Sequence, residues 1–136
     1  MQDRVIDGIL QQITRMRKRL EILEAAGNGT EWIPLPYTTS GSIWADYSGS
    51  YLGGYYKRSG GVVYLAGVVA RTFGSSNVIA TMPVGFRPSN TILFSTMSNS
   101  SIARVYLYSN GELTWIAGGS PTAWVTLNAL YYPIGT

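Results

Sequence analysis

The chain has 136 residues with a formal net charge of +3, and it contains neither cysteine nor histidine. These counts exclude disulfides, thiolate nucleophiles, histidine acid–base chemistry and most zinc sites. Charged residues make up 12% of the chain and hydrophobic residues 46%, which is typical of a folded protein and too weakly basic to indicate nucleic-acid binding. We therefore expect no metal, no cofactor and no nucleic-acid partner.

The first 26 residues carry a heptad pattern of apolar side chains. Their spacing alternates between three and four, as at positions a and d of a coiled coil. A narrow apolar stripe on a polar helix buries little unless helices from several copies meet, so the pattern predicts a coiled coil. An amphipathic helix lying on the chain's own β-region is the alternative. The seam residues are Ile6, Ile9, Ile13, Met16, Leu20 and Leu23.

The residue types in this seam favour three parallel helices. Isoleucine occupies both a and d in the first heptad, at Ile6 and Ile9, which disfavours a dimer. Arg19 at position g can reach Glu24 at position e of a neighbouring helix. The run from Arg19 to Glu24 also resembles the short arginine–hydrophobic–glutamate signature of parallel trimeric coiled coils. The sequence therefore predicts a homotrimer.

The helix ends in a glycine-rich segment, after which the apolar period changes. Gly27, Asn28 and Gly29 are typical of the residues that follow a helix C-terminus. From Trp32 onward the apolar period is 2, the period of β-strands. The sequence predicts a coiled-coil trimerisation helix over residues 1–26, a linker over 27–31 and a β-domain over 32–136. No stretch approaches the roughly 18 apolar residues of a membrane span, so we expect no membrane insertion.

The β-domain is predicted to be an antiparallel, jelly-roll-like β-sandwich, which makes the chain mainly β. Short runs of β-forming residues alternate with Gly-, Ser- and Asn-rich turns, and no helical pattern separates them. Strands are predicted at Trp32–Leu35, Gly41–Tyr47, Tyr55–Arg58, Val62–Arg71, Val78–Thr81, Thr91–Met97, Ile102–Tyr108, Glu112–Ala117 and Trp124–Tyr132.

One predicted hairpin carries most of the candidate ligand-binding residues. Asn110-Gly111 is the strongest two-residue turn signal, and such a turn would pair Tyr106 with Trp115. That register places Tyr106, Tyr108 and Trp115 on one face of the hairpin. Because an outer strand face is normally polar, an aromatic face predicts a cover: a neighbouring subunit, the chain's own loops or a ligand.

A carbohydrate is the ligand that this composition favours. Tyrosine and tryptophan rings stack against the C–H faces of sugars, and the abundant Ser, Asn and Thr side chains supply hydrogen bonds. Asn99, in the turn after the strand over 91–97, joins the three aromatic residues as the fourth candidate. Filling of the core or of a subunit interface is the alternative role for these aromatic side chains.

Four segments carry a resemblance to a known protein family. Gly60–Gly67 has the sequence GGVVYLAG, and Ile79–Pro88 has the sequence IATMPVGFRP. Together with Asn110–Leu113 and Trp124–Leu127, these segments resemble the C-terminal β-domains of bacteriophage tail-fibre and receptor-binding proteins. The resemblance implies a virion structural protein on the tail or capsid surface, assembled in the host cytoplasm.

The resemblance also implies a function in attachment. We expect a homotrimeric fibre whose β-domain binds a host-surface carbohydrate and whose N-terminal coiled coil joins other virion proteins. The alternative is a head-fibre or capsid-decoration protein with a structural role and no specific ligand. An enzyme is not expected, because glycan cleavage uses two carboxylates roughly 5–10 Å apart. The β-domain has only Glu31, Asp46 and Glu112, predicted at separate places.

Overall fold

The computed structural model describes residues 2–25 and 31–134, and within the helix it describes the side chains of residues 6–17. The described chain is mainly β with antiparallel pairing, as predicted, and every predicted strand region contains at least part of an observed strand. The elements are α1 (Gln2–Ala25), β1 (Ile33–Pro34), β2 (Ile43–Asp46), β3 (Tyr55–Ser59), β4 (Val62–Ala66), β5 (Val68–Phe73), β6 (Val78–Thr81), β7 (Ile92–Ser98), β8 (Ser101–Leu107), β9 (Glu112–Ala117), β10 (Val125–Thr126) and β11 (Tyr131–Pro133).

The strands form two antiparallel sheets that share one hydrophobic core. Sheet A has the order β1-β3-β4-β11, and sheet B has the order β2-β5-β10-β7-β8-β9-β6. Val63 and Tyr132 from sheet A and Val105 and Leu113 from sheet B are fully buried in this core. Phe94 of β7 packs edge-on against Tyr132 of β11, with ring centroids 6.2 Å apart. Each such side chain contributes about 1.5–3 kcal/mol through burial.

Sheet B nearly closes on itself. Its two edge strands, β2 and β6, both hydrogen-bond to the segment between β1 and β2. The backbone N–H of Thr38 donates to the Ile79 carbonyl of β6 (3.0 Å), and the backbone N–H of Trp44 in β2 donates to the Thr38 carbonyl (3.1 Å). This segment therefore covers edges that would otherwise expose unpaired backbone groups. The jelly-roll connectivity stays a prediction.

The prediction of one strand over Val62–Arg71 is wrong, because the chain changes sheets at Gly67. β4 belongs to sheet A and β5 to sheet B. Gly67 has φ +110°, a conformation that residues with a side chain rarely adopt. The strand predicted over Trp124–Tyr132 also breaks, with β10 in sheet B and β11 in sheet A. The two changes lie side by side, since the Leu127 N–H donates to the Gly67 carbonyl (2.7 Å). We call this region the corner.

The predicted two-residue turn at Asn110-Gly111 is wrong by one residue. In the structure Tyr106 pairs with Thr114, and Trp115 pairs with Val105. The loop therefore has three residues, with its glycine at φ +95°, which is the second common way for an Asn-Gly pair to close a hairpin. A one-residue shift turns every β9 side chain to the other face. Trp115 consequently packs against the core, away from Tyr106.

The three-residue loop can be tested with two alanine variants. Gly111→Ala should lower the free energy of unfolding by about 2–3 kcal/mol, because the new Cβ would overlap the Met82 carbonyl oxygen at a strained φ. Asn110→Ala should cost about 1 kcal/mol, because it removes two exposed hydrogen bonds and creates no overlap. Its carboxamide oxygen accepts one from the Glu112 N–H (3.0 Å), and its NH₂ group donates the other to the Glu112 carboxylate (3.1 Å). Urea unfolding measures both changes. Equal losses would contradict this loop.

Candidate functional site

An open cleft lies at the corner, where the chain twice changes sheets. It has a volume of about 330 Å³, at the lower end for small-molecule sites. The cleft is formed by the loop after β2, the start of β5, and β10 with its flanking residues. We call it the corner cleft, and it is lined by Tyr47, Tyr51, Val68, Trp124, Thr126 and Asn128.

Aromatic rings form the walls of the corner cleft. Tyr47 and Tyr51 pack against each other with ring centroids 5.6 Å apart and an angle of 43° between the ring planes. Both rings are substantially exposed, Tyr47 by 41% and Tyr51 by 58%. The half-buried Trp124 supplies a third ring. Exposed rings around a depression offer flat apolar surfaces on which a ligand can stack.

Trp124 differs from Trp44 and Trp115 in the hydrogen bonding of its indole N–H. The Trp44 Nε1–H donates to the Ser76 carbonyl (3.0 Å), and the Trp115 Nε1–H donates to the Gly118 carbonyl (2.9 Å). Within residues 2–25 and 31–134, the Trp124 Nε1–H donates to no protein atom. Tryptophan N–H groups usually find a partner when they are covered. The Trp124 donor is therefore available to a bound molecule.

Polar groups at the cleft are held in place by backbone contacts. The Asn128 N–H donates to the Thr126 hydroxyl oxygen (3.2 Å), and the Asn128 carboxamide oxygen accepts from the Gly67 N–H (2.7 Å). The side-chain oxygen of Asn128 is thus committed to the corner, which leaves its NH₂ group as the part that a ligand can contact. Rings and fixed polar groups together match the surface of a sugar, which has apolar faces and hydroxyl edges.

The loop that carries the two tyrosines is anchored at both ends. The Asp46 carboxylate accepts hydrogen bonds from the Tyr37 hydroxyl and from the Gly54 N–H (2.8 Å). Close to the second end of the loop, the Val68 N–H of β5 donates to the Leu52 carbonyl (2.8 Å). Burial, and then the hydrogen bond to Asp46, raise the pKa of the Tyr37 hydroxyl well above its ordinary value. Tyr37 is therefore a neutral donor that positions the loop.

The raised pKa of Tyr37 predicts a loss of stability in alkaline solution. In the unfolded chain this hydroxyl ionises near its ordinary pKa of 10.0, whereas the folded chain keeps it protonated. The unfolded state then binds fewer protons, so the free energy of unfolding falls as the pH rises above 10. Tyr37→Phe should cost about 1–2 kcal/mol at neutral pH and make the alkaline decline shallower. Urea unfolding at several pH values measures this, and an unchanged slope would contradict the assignment.

The ligand-binding residues predicted from sequence are not all brought together. Tyr106 and Tyr108 lie near each other, with ring centroids 6.4 Å apart, and Tyr106 lies on the outward face of sheet B. Trp115 lies on the inner face of the same sheet. Asn99 is in the two-residue turn between β7 and β8, where it and Ser100 have φ values of 46° and 68°. Ligand binding by these four residues stays a prediction.

The turn that contains Asn99 adjoins the strand of the corner cleft. The buried Ser98 hydroxyl donates to the Trp124 carbonyl (2.7 Å) and accepts from the Ser120 N–H (3.1 Å). The ligand-binding residues predicted from the sequence do not include Tyr47, Tyr51 or Trp124. The signal for the tyrosines was available, because large rings in a loop of serines and glycines cannot follow the alternation of a core strand.

The predicted trimer seam lies along α1. Within the described part of the helix, Ile6, Ile9, Ile13 and Met16 are each between 46% and 66% exposed in the single chain. The remaining predicted seam residues and ion-pair partners, Arg19, Leu20, Leu23 and Glu24, lie outside the described side chains. Residues 27–30 of the predicted linker are also outside the described residues. Whether copies associate through the seam stays a prediction.

Two kinds of feature are absent from the described residues. Across 2–25 and 31–134, no three His, Cys, Asp or Glu side chains cluster as metal ligands would. In the same part of the chain, no helix is long and apolar enough to span a membrane.

Comparison with known proteins identifies a relative in fold. No protein-family model matches the chain, and no curated protein matches it in sequence. Among solved structures, the chain is similar to the receptor-binding protein of Listeria phage PSA, with a TM-score of 0.66 and 18% sequence identity. The match covers 95% of this chain and 79% of that chain. The two proteins therefore share a fold at low sequence similarity.

Proposed function

We propose that this protein is a host-attachment protein of a bacteriophage virion. It is non-enzymatic, forms a homotrimer through α1 and binds a host-surface carbohydrate with its β-domain. The observation that carries the proposal is the similarity in fold to a phage receptor-binding protein over 95% of the chain. The match is therefore not confined to one part of the chain.

The exposed seam of α1 supports the homotrimer. Four apolar seam side chains, with Leu10 beside them, are about half exposed in a single chain, which leaves a stripe with nothing to cover it. Copies of the same helix bury such a stripe when the apolar spacing is 3.5 residues on average. The opposite end of the helix from the β-domain is then available to other virion proteins.

The corner cleft supports carbohydrate binding. Its three rings can stack on sugar C–H faces, and the Trp124 N–H and the Asn128 NH₂ group can donate to sugar hydroxyls. A shallow site of this size binds one or two sugar units weakly. A trimer offers several such sites to a cell surface at once, so avidity raises the overall affinity without any new contact.

The test compares variants of the cleft with a variant of the other aromatic pair. Trp124→Ala and Tyr51→Ala should each weaken binding of labelled protein to host cells by about tenfold or more, equivalent to about 1.4 kcal/mol. Tyr106→Ala removes a half-buried ring from the outward face of sheet B, and it should bind as the parent does if the corner cleft is the site. Far-UV circular dichroism and light scattering confirm that the variants remain folded and assembled.

Two results would contradict this assignment. Unchanged binding by both cleft variants would exclude the corner cleft, and loss of binding by Tyr106→Ala alone would favour the face that carries Tyr106 and Tyr108. Immunogold labelling of virions then locates the protein. Label at the tail tip is expected, whereas label over the capsid would favour the head-fibre or decoration alternative.

A further inference from the structure

A row of large side chains crosses the outward face of sheet A. Lys57 pairs with Tyr64, and Tyr64 pairs with Tyr131, which places the three side chains on one face. The Lys57 ammonium lies 4.8 Å from the centre of the Trp32 ring, just before β1, so the row extends over all four strands. The Tyr64 and Tyr131 ring centroids are 6.1 Å apart. We call these residues the sheet A row.

The sheet A row is more apolar than an exposed sheet face requires. An outward face of an antiparallel sheet is normally polar, yet Tyr131 is 64% exposed and Trp32 is 44% exposed. Beside the row is an apolar depression of about 340 Å³, lined by Trp32, Leu52, Tyr55 and Ala66. Exposed aromatic side chains beside an apolar pocket are typical of protein interfaces.

The length of the chain limits how far this face can lie from the other copies. The segment between Ala25 and Glu31 spans at most about 20 Å even when fully extended. Packed helices have axes about 8–10 Å apart, so each helix of a trimer lies only about 5–6 Å from the threefold axis. Trp32, the first residue of the row, is therefore held within about 30 Å of that axis. The outward face of sheet B lies on the far side of the core.

We propose that the outward face of sheet A packs against a second copy of this chain inside the assembly that α1 holds together. The inference rests on the proposed homotrimer, and it assigns Trp32, Tyr64 and Tyr131 to the subunit interface. The corner cleft has a different set of lining residues, which sheet B and the loop after β2 contribute. One aromatic surface thus joins the copies, and the other remains for the ligand.

The size of the face explains why the helix is needed. Four strands of two to five residues at about 4.8 Å spacing cover an area of at most about 14 by 17 Å. A stable interface buries about 800 Å² per partner, several times that footprint. The sheet A face therefore associates only while the helices keep the copies together. A substitution that separates the helices should release the face.

Single cysteines provide the test, because the parent chain has none. Tyr131→Cys places a thiol in the sheet A row, and Leu93→Cys places one on the outward face of sheet B. The two parent side chains are equally exposed in the single chain, 64% and 65%. The reaction rate of each full-length variant with a polymer-linked maleimide is measured, with and without Ile13→Asp. Lys57→Cys, on the same row, replaces Tyr131→Cys if that variant does not fold.

The expected result is a difference that depends on assembly. In the assembled protein, the thiol at position 131 should react about tenfold or more slowly than the thiol at position 93, because it is reached only when the interface opens. In the Ile13→Asp background the two rates should become equal. Equal rates in a protein that light scattering shows to be trimeric would overturn the proposal. Slower reaction at position 93 would overturn it too, and would assign the interface to sheet B.

Light scattering separates failure of this inference from failure of the homotrimer. If the parent protein is a single chain in solution, the homotrimer fails and the interface with it. If position 131 stays slow in single chains that carry Ile13→Asp, the chain's own residues shield it and the proposal is wrong. The Tyr131→Cys protein should still bind host cells, because Tyr131 does not line the corner cleft.

Discussion

Replacing Gly67 with alanine should lower the free energy of unfolding by about 3–5 kcal/mol, enough to unfold much of the protein. Gly67 has φ +110°, and an added Cβ would overlap the Gly53 carbonyl oxygen and come within 2.7 Å of the Gly54 Cα. Both overlapping atoms belong to the backbone, so a change of side-chain rotamer cannot relieve the overlap. The backbone of the corner must therefore shift, which disturbs both places where the chain passes from one sheet to the other.

The matched control for Gly67 is Gly49→Ala, in the loop after β2. A Cβ at Gly49 would meet no atom within 4 Å, and this residue does not have a positive φ. Its effect should stay within about 0.5 kcal/mol of the parent. Urea unfolding followed by tryptophan fluorescence measures both variants. A loss at Gly67 no larger than that at Gly49 would show that the corner is not built as described.

Placing an aspartate at Ile13 should convert the proposed trimer into single chains. Ile13 occupies position a of the central heptad, where the helices of all copies meet, and a carboxylate there would be buried without a partner. The helical signal in circular dichroism should fall as well, because isolated helices of this length are marginal in water. The β-domain should remain folded, since Ile13 is 46% exposed in the single chain.

The control for Ile13→Asp introduces the same charge on the same helix. Gln11 is at position f of the heptad, on the side away from the seam, so Gln11→Asp should leave the assembly intact. Multi-angle light scattering gives the mass of each variant. An unchanged mass for Ile13→Asp, or dissociation by Gln11→Asp, would exclude the predicted register.

Elements governed by neighbouring residues were predictable from the sequence. The bounds of β6 and β9 agree with the predicted strands Val78–Thr81 and Glu112–Ala117, because alternation and turn residues mark both ends of each. Turn residues also correctly separated β7 from β8 at Asn99-Ser100. Local pattern was insufficient at Asn110-Gly111, where the same two residues are compatible with loops of two or three residues.

The corner cleft could not be predicted in the same way. Tyr47 and Trp124 are far apart in the chain and meet only because β5 and β10 pair at the corner. Nothing in the run of apolar residues around Gly67 shows that the strand leaves one sheet for the other there. The predicted aromatic face that united Trp115 with Tyr106 failed for a related reason, since a one-residue change of register exchanges the two faces of a strand.

The sequence by itself determined the mainly β class, the helix with its apolar seam, and the places where the chain turns. Those features depend on the spacing of residues along a few turns or strands, which local sequence contains in full. Only the tertiary structure decided which side chains share a surface: the sheet changes at Gly67, the register of β9 and the meeting of Tyr47 with Trp124. These depend on pairing between distant segments, where the packing of one shared core selects among arrangements that are locally equivalent.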